Sequence, residues 1–282
     1  MPAAVSPTSR PSRRLTASTK LALGVFGVLG IFGLSATGCR FMPSGAHWIE
    51  GHGEGRLVHL AGSPAGVLGI GEDTHLWAYP VEWSRPWVQR DGAQELRTIA
   101  SSPVALYAIV KSGEVVRVVD GRWTTFAGSI GWGATSLGAS EDDRLFIVIG
   151  GRIRRVEGVD LKEAPCDGVS AAVVSGVRGD EIYVVDAAGA LHHGTPTSCP
   201  IVPTPTPVRD VAARNGRLIV VATDGRVWRR RGDEAWRLLP AVNKYRPFRG
   251  PFEVKAAQVA LTDYSTWLLD REGSVFVLSD ES

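Results

Sequence analysis

The sequence lacks the short motifs that mark most catalytic and metal sites. It has no Gly-x-Ser-x-Gly nucleophile elbow, no His-Glu-x-x-His, no Cys-x-x-Cys and no Gly-rich phosphate loop followed by a helix. The Ser-x-Asp-x-Gly-x-Thr-Trp box of sialidases is also absent. His192 and His193 are adjacent, so on a strand their side chains face opposite ways and do not readily share a metal ion. These absences predict no enzymatic activity, no metal site and no cofactor.

An excess of basic residues is lacking too. The 282 residues carry a formal net charge of +2, with 44% hydrophobic and 21% charged residues. The first 38 residues contain four bases and no acid, so 27 bases stand against 29 acids in the remainder. Nucleic-acid binding depends on clustered cations. The composition therefore indicates an ordinary packed globular protein and gives no reason to expect a nucleic-acid partner.

An apolar run, Leu21–Ala36, follows a polar and basic opening that ends at Lys20. Its sixteen residues are all apolar or small. As a helix the run would be about 24 Å long, which is shorter than the ~30 Å hydrocarbon core of a bilayer. This layout predicts a secretory signal peptide, with a permanent membrane span as the alternative.

The segment Leu34-Ser35-Ala36-Thr37-Gly38-Cys39 resembles the lipobox of bacterial lipoproteins. The resemblance implies cleavage after Gly38, so that 1–38 is a signal peptide and 39–45 a lipidated linker, with diacylglycerol on Cys39. Arg40 in place of Asp implies, by comparison with Gram-negative lipoproteins, an outer-membrane anchor facing the periplasm or the cell surface. The alternative is an ordinary cleavage site that happens to precede a cysteine.

Cysteine is scarce, with three residues in the whole chain. Cys39 belongs to the predicted lipid site, which leaves Cys166 and Cys199 for the folded part. In an oxidising compartment such a pair is a disulfide candidate. Two unrelated buried thiols are the alternative.

A repeat of about 38 residues runs along the chain. Turns rich in Gly and Asp recur with the same surroundings at positions 74, 113, 151, 189, 225 and 273, in steps of 39, 38, 38, 36 and 48. An apolar run precedes each turn, an apolar residue follows it by two positions, and a strand rich in small residues lies upstream. A turn about every ten residues predicts four short antiparallel strands per repeat.

Small residues in the first strand of each repeat suit strands that crowd around a central axis. The sequence therefore predicts an all-β fold, a six-bladed β-propeller over 46–282, with seven blades as the alternative. The last repeat ends at Val277-Leu278 after three strands, and Ala46–Glu50 resembles an isolated fourth strand. The N-terminal strand is expected to complete the last blade, with Trp48 near Leu278.

The repeat is similar to those of tectonin-type propellers and, more loosely, to RCC1-like repeats. Three segments carry the resemblance: Val211–Asn215, Leu218–Arg230 and Glu234–Pro240. It covers about residues 44–282 and is strongest in the fifth and sixth repeats. The tectonin resemblance implies recognition of carbohydrate or lipopolysaccharide.

Two groups of residues are candidate ligand or partner contacts. The fifth blade combines Trp228, Arg229, Arg230 and Trp236, which suit anionic glycans or acidic proteins. The other reading is a solvated strand whose Arg stems cover the Trp rings. The long step falls in Pro240–Pro251, a predicted surface loop that contains Lys244, Tyr245, Arg246, Phe248 and Arg249.

Together these features predict a lipid-anchored protein of the bacterial cell envelope. Its propeller is expected to act as a non-enzymatic scaffold for an envelope protein or an anionic glycan. The alternative is an exported propeller hydrolase or lactonase. The sequence does not specify the oligomeric state.

Overall fold

The computed structural model describes residues 47–50, 56–63, 66–79, 87–90, 95–246 and 250–279. The predicted signal peptide, the linker with Cys39, and the candidate residues Phe248 and Arg249 lie outside these ranges. Within them the chain forms β-strands and one short 3-10 helix, Ser129–Gly131. No helix in the described ranges has the length and apolarity needed to cross a bilayer.

The described strands form six four-stranded antiparallel sheets, which are the blades of a propeller. Blade 1 consists of β2 Leu57–Ser63, β3 Gly66–Gly71, β4 Leu76–Tyr79 and β5 Val88–Gln89. Blade 2 consists of β6 Leu96–Ser101, β7 Leu106–Val110, β8 Val115–Val119 and β9 Arg122–Ala127. Blade 3 consists of β10 Ala134–Ala139, β11 Leu145–Ile149, β12 Arg152–Glu157 and β13 Asp160–Glu163.

The second half of the ring repeats this plan. Blade 4 consists of β14 Ala171–Gly176, β15 Ile182–Asp186, β16 Leu191–Gly194 and β17 Ile201–Val202. Blade 5 consists of β18 Val208–Arg214, β19 Arg217–Ala222, β20 Val227–Arg231 and β21 Arg237–Leu238. Blade 6 consists of β24 Ala256–Leu261, β25 Thr266–Asp270, β26 Val275–Ser279 and β1 His47–Glu50. The predicted fold of six four-stranded blades is confirmed.

The N-terminal strand closes the ring as predicted. β1 pairs antiparallel with β26, and Trp48 stands opposite Leu278 in the register. The innermost strands of neighbouring blades contact one another in order, and β24 of blade 6 contacts β2 of blade 1. Pairing β1 with β26 covers an edge that would otherwise be open to other chains.

The segment predicted as a surface loop between blades 5 and 6 forms a hairpin instead. Strand β22, Val242–Arg246, pairs with β23, Gly250–Val254, in a separate two-stranded sheet. The prediction of a loop rested on the extra length of the step between blades 5 and 6, which is 48 residues, and the segment also contains prolines. Strand-forming residues at Val242, Tyr245 and Phe252 outweigh them in the structure.

The recurring turns that reveal the repeat also join the blades. The residue at each of the six turn positions has positive φ, from 65° at Thr74 to 90° at Gly225, as the sequence predicts. At five of the six turns its carbonyl then accepts a backbone N–H from the next blade, and Gly113 O accepts Gly131 N of the 3-10 helix before blade 3. Leu96 N donates to Thr74 O at 3.0 Å, and Leu57 N donates to Gly273 O at 3.1 Å, which links blade 6 back to blade 1. The period in the sequence therefore reflects the contact between neighbouring blades.

Small residues line the axis because the inner strands approach one another closely. A Cβ at Gly62 would lie 1.8 Å from Leu261 O, and one at Gly176 would lie 2.6 Å from the backbone of Ala139. Neither position has room for a side chain.

The hydrophobic core lies between the blades. Ile219 and Val221 of blade 5, for example, are buried together with Val259 and Leu261 of blade 6. Each such side chain contributes roughly 1.5–3 kcal/mol by leaving water. The second strand of each blade is buried on both faces, which explains why its sequence is a nearly continuous apolar run.

A disulfide joins Cys166 to Cys199, with 5.3 Å between the Cα atoms. Cys166 lies in the connection from blade 3 to blade 4, and Cys199 precedes β17, the two-residue outer strand of blade 4. Gly194 lies beneath the bridge, where a Cβ would be 2.8 Å from Cys166 Sγ. The bond therefore fastens a short outer strand to the chain that enters the blade.

Candidate functional site

The axial channel is ringed by one equivalent residue from each inner strand, at the point where the register shifts by a β-bulge. We call this set the bulge ring. Its members, in blade order, are His59, Thr98, Ser136, Val173, Asp210 and Gln258. Five of the six are polar. A β-bulge leaves a backbone N–H without its ladder partner, so these side chains have donors to satisfy.

Three side chains of the bulge ring bind the backbone of the following blade. Val174 N donates to Ser136 Oγ at 3.3 Å, and Val259 N donates to Asp210 Oδ2 at 2.7 Å. Leu60 N donates to Gln258 Oε1 at 3.1 Å, which carries the pattern across the closure of the ring. The bulge ring is therefore part of the hydrogen bonding that fixes the blades around the axis.

Asp210 carries an extra hydrogen bond. Val173 of the preceding blade has no acceptor in its side chain, and Val211 N donates to Asp210 instead. Burial raises the pKa of Asp210 to about 7, against the opposing effects of these N–H donors and of the Arg209 charge. Near neutral pH this carboxyl group is therefore divided between its neutral and charged forms.

His59 and Gln258 lie beside Asp210 in the ring. Burial lowers the pKa of His59, so the imidazole is neutral at pH 7. Gln258 Nε2 lies 3.1 Å from His59 Nδ1. Since an amide nitrogen only donates, Nδ1 is the acceptor, and the ring proton is placed on Nε2. The neighbours Asp210, Gln258 and His59 thus form a polar arc on one side of the channel.

The channel widens into an open cavity next to this arc, which we call the vestibule. Its volume is about 570 Å³, and Arg56, Arg209 and Arg271 line it together with Asp210 and Gln258. It lies on the face that carries the recurring turns, which we call the turn face. The acids Glu72, Asp270 and Glu272 also line it. The vestibule thus combines guanidinium donors at the rim with an amide and a carboxyl group on the floor.

Hydrogen bonds between loops cross the opposite end of the channel. Asn215 N of blade 5 donates to Glu141 Oε1 of blade 3 at 2.9 Å, which bridges the channel past blade 4. Arg214 Nε donates to Asp263 Oδ1 at 2.6 Å beside it. The channel below the vestibule has a volume of only about 160 Å³. Hydrogen-bonded loops thus span this end of the channel, and the wider cavity lies at the turn face.

The fifth-blade residues predicted as contacts are mostly engaged by the protein. Trp228 and Trp236 pack against the core between blades 4 and 5, and Trp236 Nε1 donates to Pro203 O at 2.7 Å. Arg230 Nε donates to Gly232 O at 2.9 Å, and its Nη2 lies 3.5 Å from Asp233. Arg229 also has a partner. These four residues do not meet the hairpin residues in a described pocket.

The structure places three of the predicted loop residues on one strand of the hairpin. Lys244, Tyr245 and Arg246 belong to β22, opposite Phe252, Pro251 and Gly250 of β23. The hairpin connects the outer strand of blade 5 to the inner strand of blade 6, so it leaves the ring at the turn face. It is the largest departure from the regular repeat in the described chain.

The adjacent histidines bind different acids. His192 Nε2 lies 3.0 Å from Asp186 Oδ2, and His193 Nε2 lies 2.6 Å from Glu181 Oε1. The His193 ring also stacks on Tyr183, with 4.6 Å between the ring centroids. In the described ranges no three His, Cys, Asp or Glu side chains are grouped so as to hold a metal ion.

Sequence reasoning missed the bulge ring and the vestibule. A signal is present, because the third residue of each inner strand is polar in five blades while the residue that follows it is always apolar. This position is Asp210 in blade 5 and Gln258 in blade 6. The vestibule has no such signal, since its arginines come from a strand start, an inner strand and a turn.

Replacing Asp210 by Asn is expected to make stability less dependent on pH. Because the folded pKa lies above the unfolded value of 3.8, the contribution of Asp210 is full below pH 4 and is lost as the pH rises through 7. At about 1.4 kcal/mol per pKa unit, reduced for water in the channel, Asp210→Asn should raise the free energy of unfolding by about 2 kcal/mol at pH 8. At pH 4 the difference should nearly vanish.

Urea unfolding at both pH values measures this effect. Asp160→Asn is the matched control, because Asp160 is an exposed carboxylate on an outer strand. If the difference in free energy of unfolding between Asp210→Asn and the wild type is the same at pH 8 as at pH 4, the raised pKa of Asp210 is contradicted.

Comparison with known proteins supports the fold. No protein-family model matches the sequence. No curated protein matches it either. Among solved structures, a protein of unknown function from Bacteroides thetaiotaomicron aligns with a TM-score of 0.58 and 10% identity, over 83% of this chain and 76% of that chain.

Two further structures contain bound ligands. An inactive virginiamycin B lyase from Staphylococcus aureus with quinupristin aligns with a TM-score of 0.54 and 10% identity, over 84% of this chain and 100% of that chain. YCF48 bound to a D1 peptide aligns with a TM-score of 0.52 and 11% identity, over 81% of this chain and 79% of that chain. At these identities the similarities show a shared β-propeller fold. An enzyme and a peptide-binding protein both occur among the structures with this fold.

Proposed function

We propose that the chain is a lipoprotein of the bacterial cell envelope whose propeller binds a partner protein on the turn face. The observation that carries the binding role is that the vestibule and the hairpin both lie on this face, while hydrogen bonds cross the opposite end of the channel. Concave polar openings on rigid scaffolds are common binding sites. The propeller holds the site, and the hairpin extends it.

Location in the envelope is supported by two independent features. The lipobox-like segment ending at Cys39 provides the anchor in the proposal. The Cys166–Cys199 disulfide suits an oxidising compartment outside the cytosol.

Binding is favoured over hydrolysis by the chemistry of the channel. The bulge ring contains one carboxyl group, Asp210, and two backbone N–H groups already bind it. A hydrolase or lactonase of the kind weighed from the sequence needs acids or metal ligands that converge on the axis. A protein ligand is preferred to a glycan because the two Trp rings that would stack on sugars pack into the core. The YCF48–peptide complex offers a precedent for the fold alone.

Removing the hairpin is expected to abolish partner capture while leaving the fold intact. Val242 and Val254 are register partners, so residues 243–253 can be replaced by Asn-Gly, which forms a tight two-residue turn. Leu239 and Val254, which are buried in the core, are retained. In-cell crosslinking of the full chain, followed by mass spectrometry, should lose its main envelope protein.

The matched control replaces the exposed turn Gly158-Val159 with Asn-Gly, a turn between the outer strands of blade 3. The same membrane fraction gives the mass of the mature N-terminus. Unchanged crosslinks after hairpin removal would contradict docking at the turn face, and an unlipidated N-terminus other than Cys39 would contradict the anchor. A glycan recovered in place of a protein would assign the surface to the ligand class implied by the tectonin resemblance.

A further inference from the structure

The vestibule is open to solvent and has cationic side chains at its rim. Arg56, Arg209 and Arg271 are all exposed. They belong to the entry into blade 1, the inner strand of blade 5 and the turn of blade 6. Three separate parts of the fold therefore bring arginine residues to the lining of one cavity of about 570 Å³.

The carboxylates in the vestibule are largely engaged elsewhere. Asp270 Oδ1 accepts Glu272 N and Ser274 N, each at 2.8 Å, and so holds its own turn. Glu72 pairs with Arg56 at 3.8 Å. Asp210 accepts Val259 N and Val211 N on the floor.

Arg209 and Arg271 differ from Arg56, whose guanidinium pairs with Glu72. Arg271 Nη2 donates to a backbone oxygen, Thr223 O, at 3.3 Å. No described carboxylate lies within ion-pair distance of the Arg209 or Arg271 guanidinium. An exposed guanidinium next to a cavity, without a carboxylate partner, is suited to bind an anionic group with two parallel N–H donors.

The floor adds a further donor. Gln258 Oε1 accepts Leu60 N, and Nε2 donates one of its two protons to His59 Nδ1, which leaves the second Nε2 proton. The raised pKa of Asp210 reduces the negative charge on the floor near neutral pH. Because Glu72, Asp270 and Glu272 keep the local net charge low, a single carboxylate suits the site better than a doubly charged phosphate.

We propose that the vestibule binds a side-chain carboxylate of an acidic peptide segment, held between Arg209 and Arg271. This inference rests on the proposed binding of a partner protein, and it names the chemical group that the partner inserts. Gln258 on the floor orients the oxygen atoms, and Arg56 with Glu72 borders the entrance.

Calorimetric titration with synthetic peptides tests this site. The probes are an N-acetylated hexapeptide of alternating Asp and Ala, its Asn-for-Asp version, and inorganic phosphate. The Asp peptide should bind at least tenfold more tightly than the Asn peptide. The double variant Arg209→Ala/Arg271→Ala should bind the Asp peptide at least tenfold more weakly than the wild type. The double variant Arg209→Lys/Arg271→Ala should recover only part of that loss, because an ammonium cannot bind a carboxylate in a bidentate manner.

Arg152→Ala is the matched control, because Arg152 is an exposed arginine on the turn face outside the vestibule. It should change the affinity less than twofold. An equal loss in Arg152→Ala would indicate general attraction to a basic surface and overturn the site. Failure of the Asp peptide to bind, or its displacement by phosphate at lower concentration, would also overturn it.

The outcome is separable from that of the proposed function. If crosslinking in cells captures a partner through the hairpin while the peptides do not bind, only the carboxylate site is rejected. If the peptides bind and no partner is captured, only the docking proposal is rejected.

Discussion

Deleting the N-terminal strand β1, His47–Glu50, is expected to lower the midpoint of thermal unfolding by about 10 °C. Four residues of β1 pair with β26. At about 1 kcal/mol for each hydrogen bond in the pairing, the loss is about 4 kcal/mol. For a domain of this size 1 kcal/mol corresponds to a shift of about 2–4 °C.

The effect is limited because β1 is not the only link between the first and last blades. Leu57 N still donates to Gly273 O, and β24 still contacts β2. The shortened chain should therefore fold, with β26 as an open outer edge. Unpaired edges promote association between chains, so the variant should also form dimers or larger species at high concentration.

Differential scanning calorimetry and size-exclusion chromatography measure the two consequences. Deletion of residues 41–44 removes an equal length from the segment before β1 and is the control. If the chain without β1 unfolds at the same temperature as the full-length chain, β1 does not act as the closing strand.

The fold could be predicted from the sequence because local chemistry at each turn sets the period of the repeat. Each turn requires positive φ, which selects Gly, and the turn carbonyl binds the next blade, which fixes the spacing. Gly151, Gly189 and Gly225 show both features. The inner strands β6, β10 and β14 are the small-residue strands expected upstream of each turn, since crowding at the axis selects a recognisable run of small side chains.

The ends of the outer strands were harder to predict. An anchoring residue recurs about ten to thirteen positions after each turn; it lies inside the outer strand at Trp123 and Leu161 but just before it at Trp87, Cys199 and Trp236. These residues pack or bridge toward neighbouring segments, as Trp87 does against Tyr79 with 5.2 Å between the ring centroids. Outer strands are short and have a free edge, so apolar periodicity defines them weakly.

The vestibule could not be predicted because its residues are distant in the sequence. Arg56 and Arg271 are more than two hundred positions apart and meet only when the ring closes. Arginine at the surface is also common in this chain and carries no signal by itself. By contrast, the tryptophans of the fifth blade were visible in the sequence as candidate contacts, and the structure packs their partly buried rings against the core.

Breaking the disulfide is expected to cost about 3.5 kcal/mol of the free energy of unfolding. Cys166 and Cys199 are 33 positions apart, and a cross-link over that distance removes about this much chain entropy from the unfolded state in the chain-entropy model. The double variant Cys166→Ser/Cys199→Ser should unfold at a midpoint roughly 10 °C lower than the wild type.

The native state gives a second reason for a large effect. Strand β17 has only two residues, and its pairing with β16 covers only two register pairs. Cys166 also has a φ of 64°, a conformation that residues other than glycine rarely adopt, and the bridge helps to hold it there. Without the bond, blade 4 should open at its outer edge before the rest of the ring.

Thermal unfolding with and without a reductant, with mass spectrometry to count free thiols, measures this contribution. Reductant should shift the wild type toward the double variant and leave the variant unchanged. Hydrogen exchange should then rise first at 199–202, since local opening exposes the weakest strand, while β15 stays protected. Two free thiols in the untreated protein would show that the bond does not form, and would remove one of the two supports for location in the envelope. An unfolding midpoint that reductant does not move would show that the bond does not stabilise the fold.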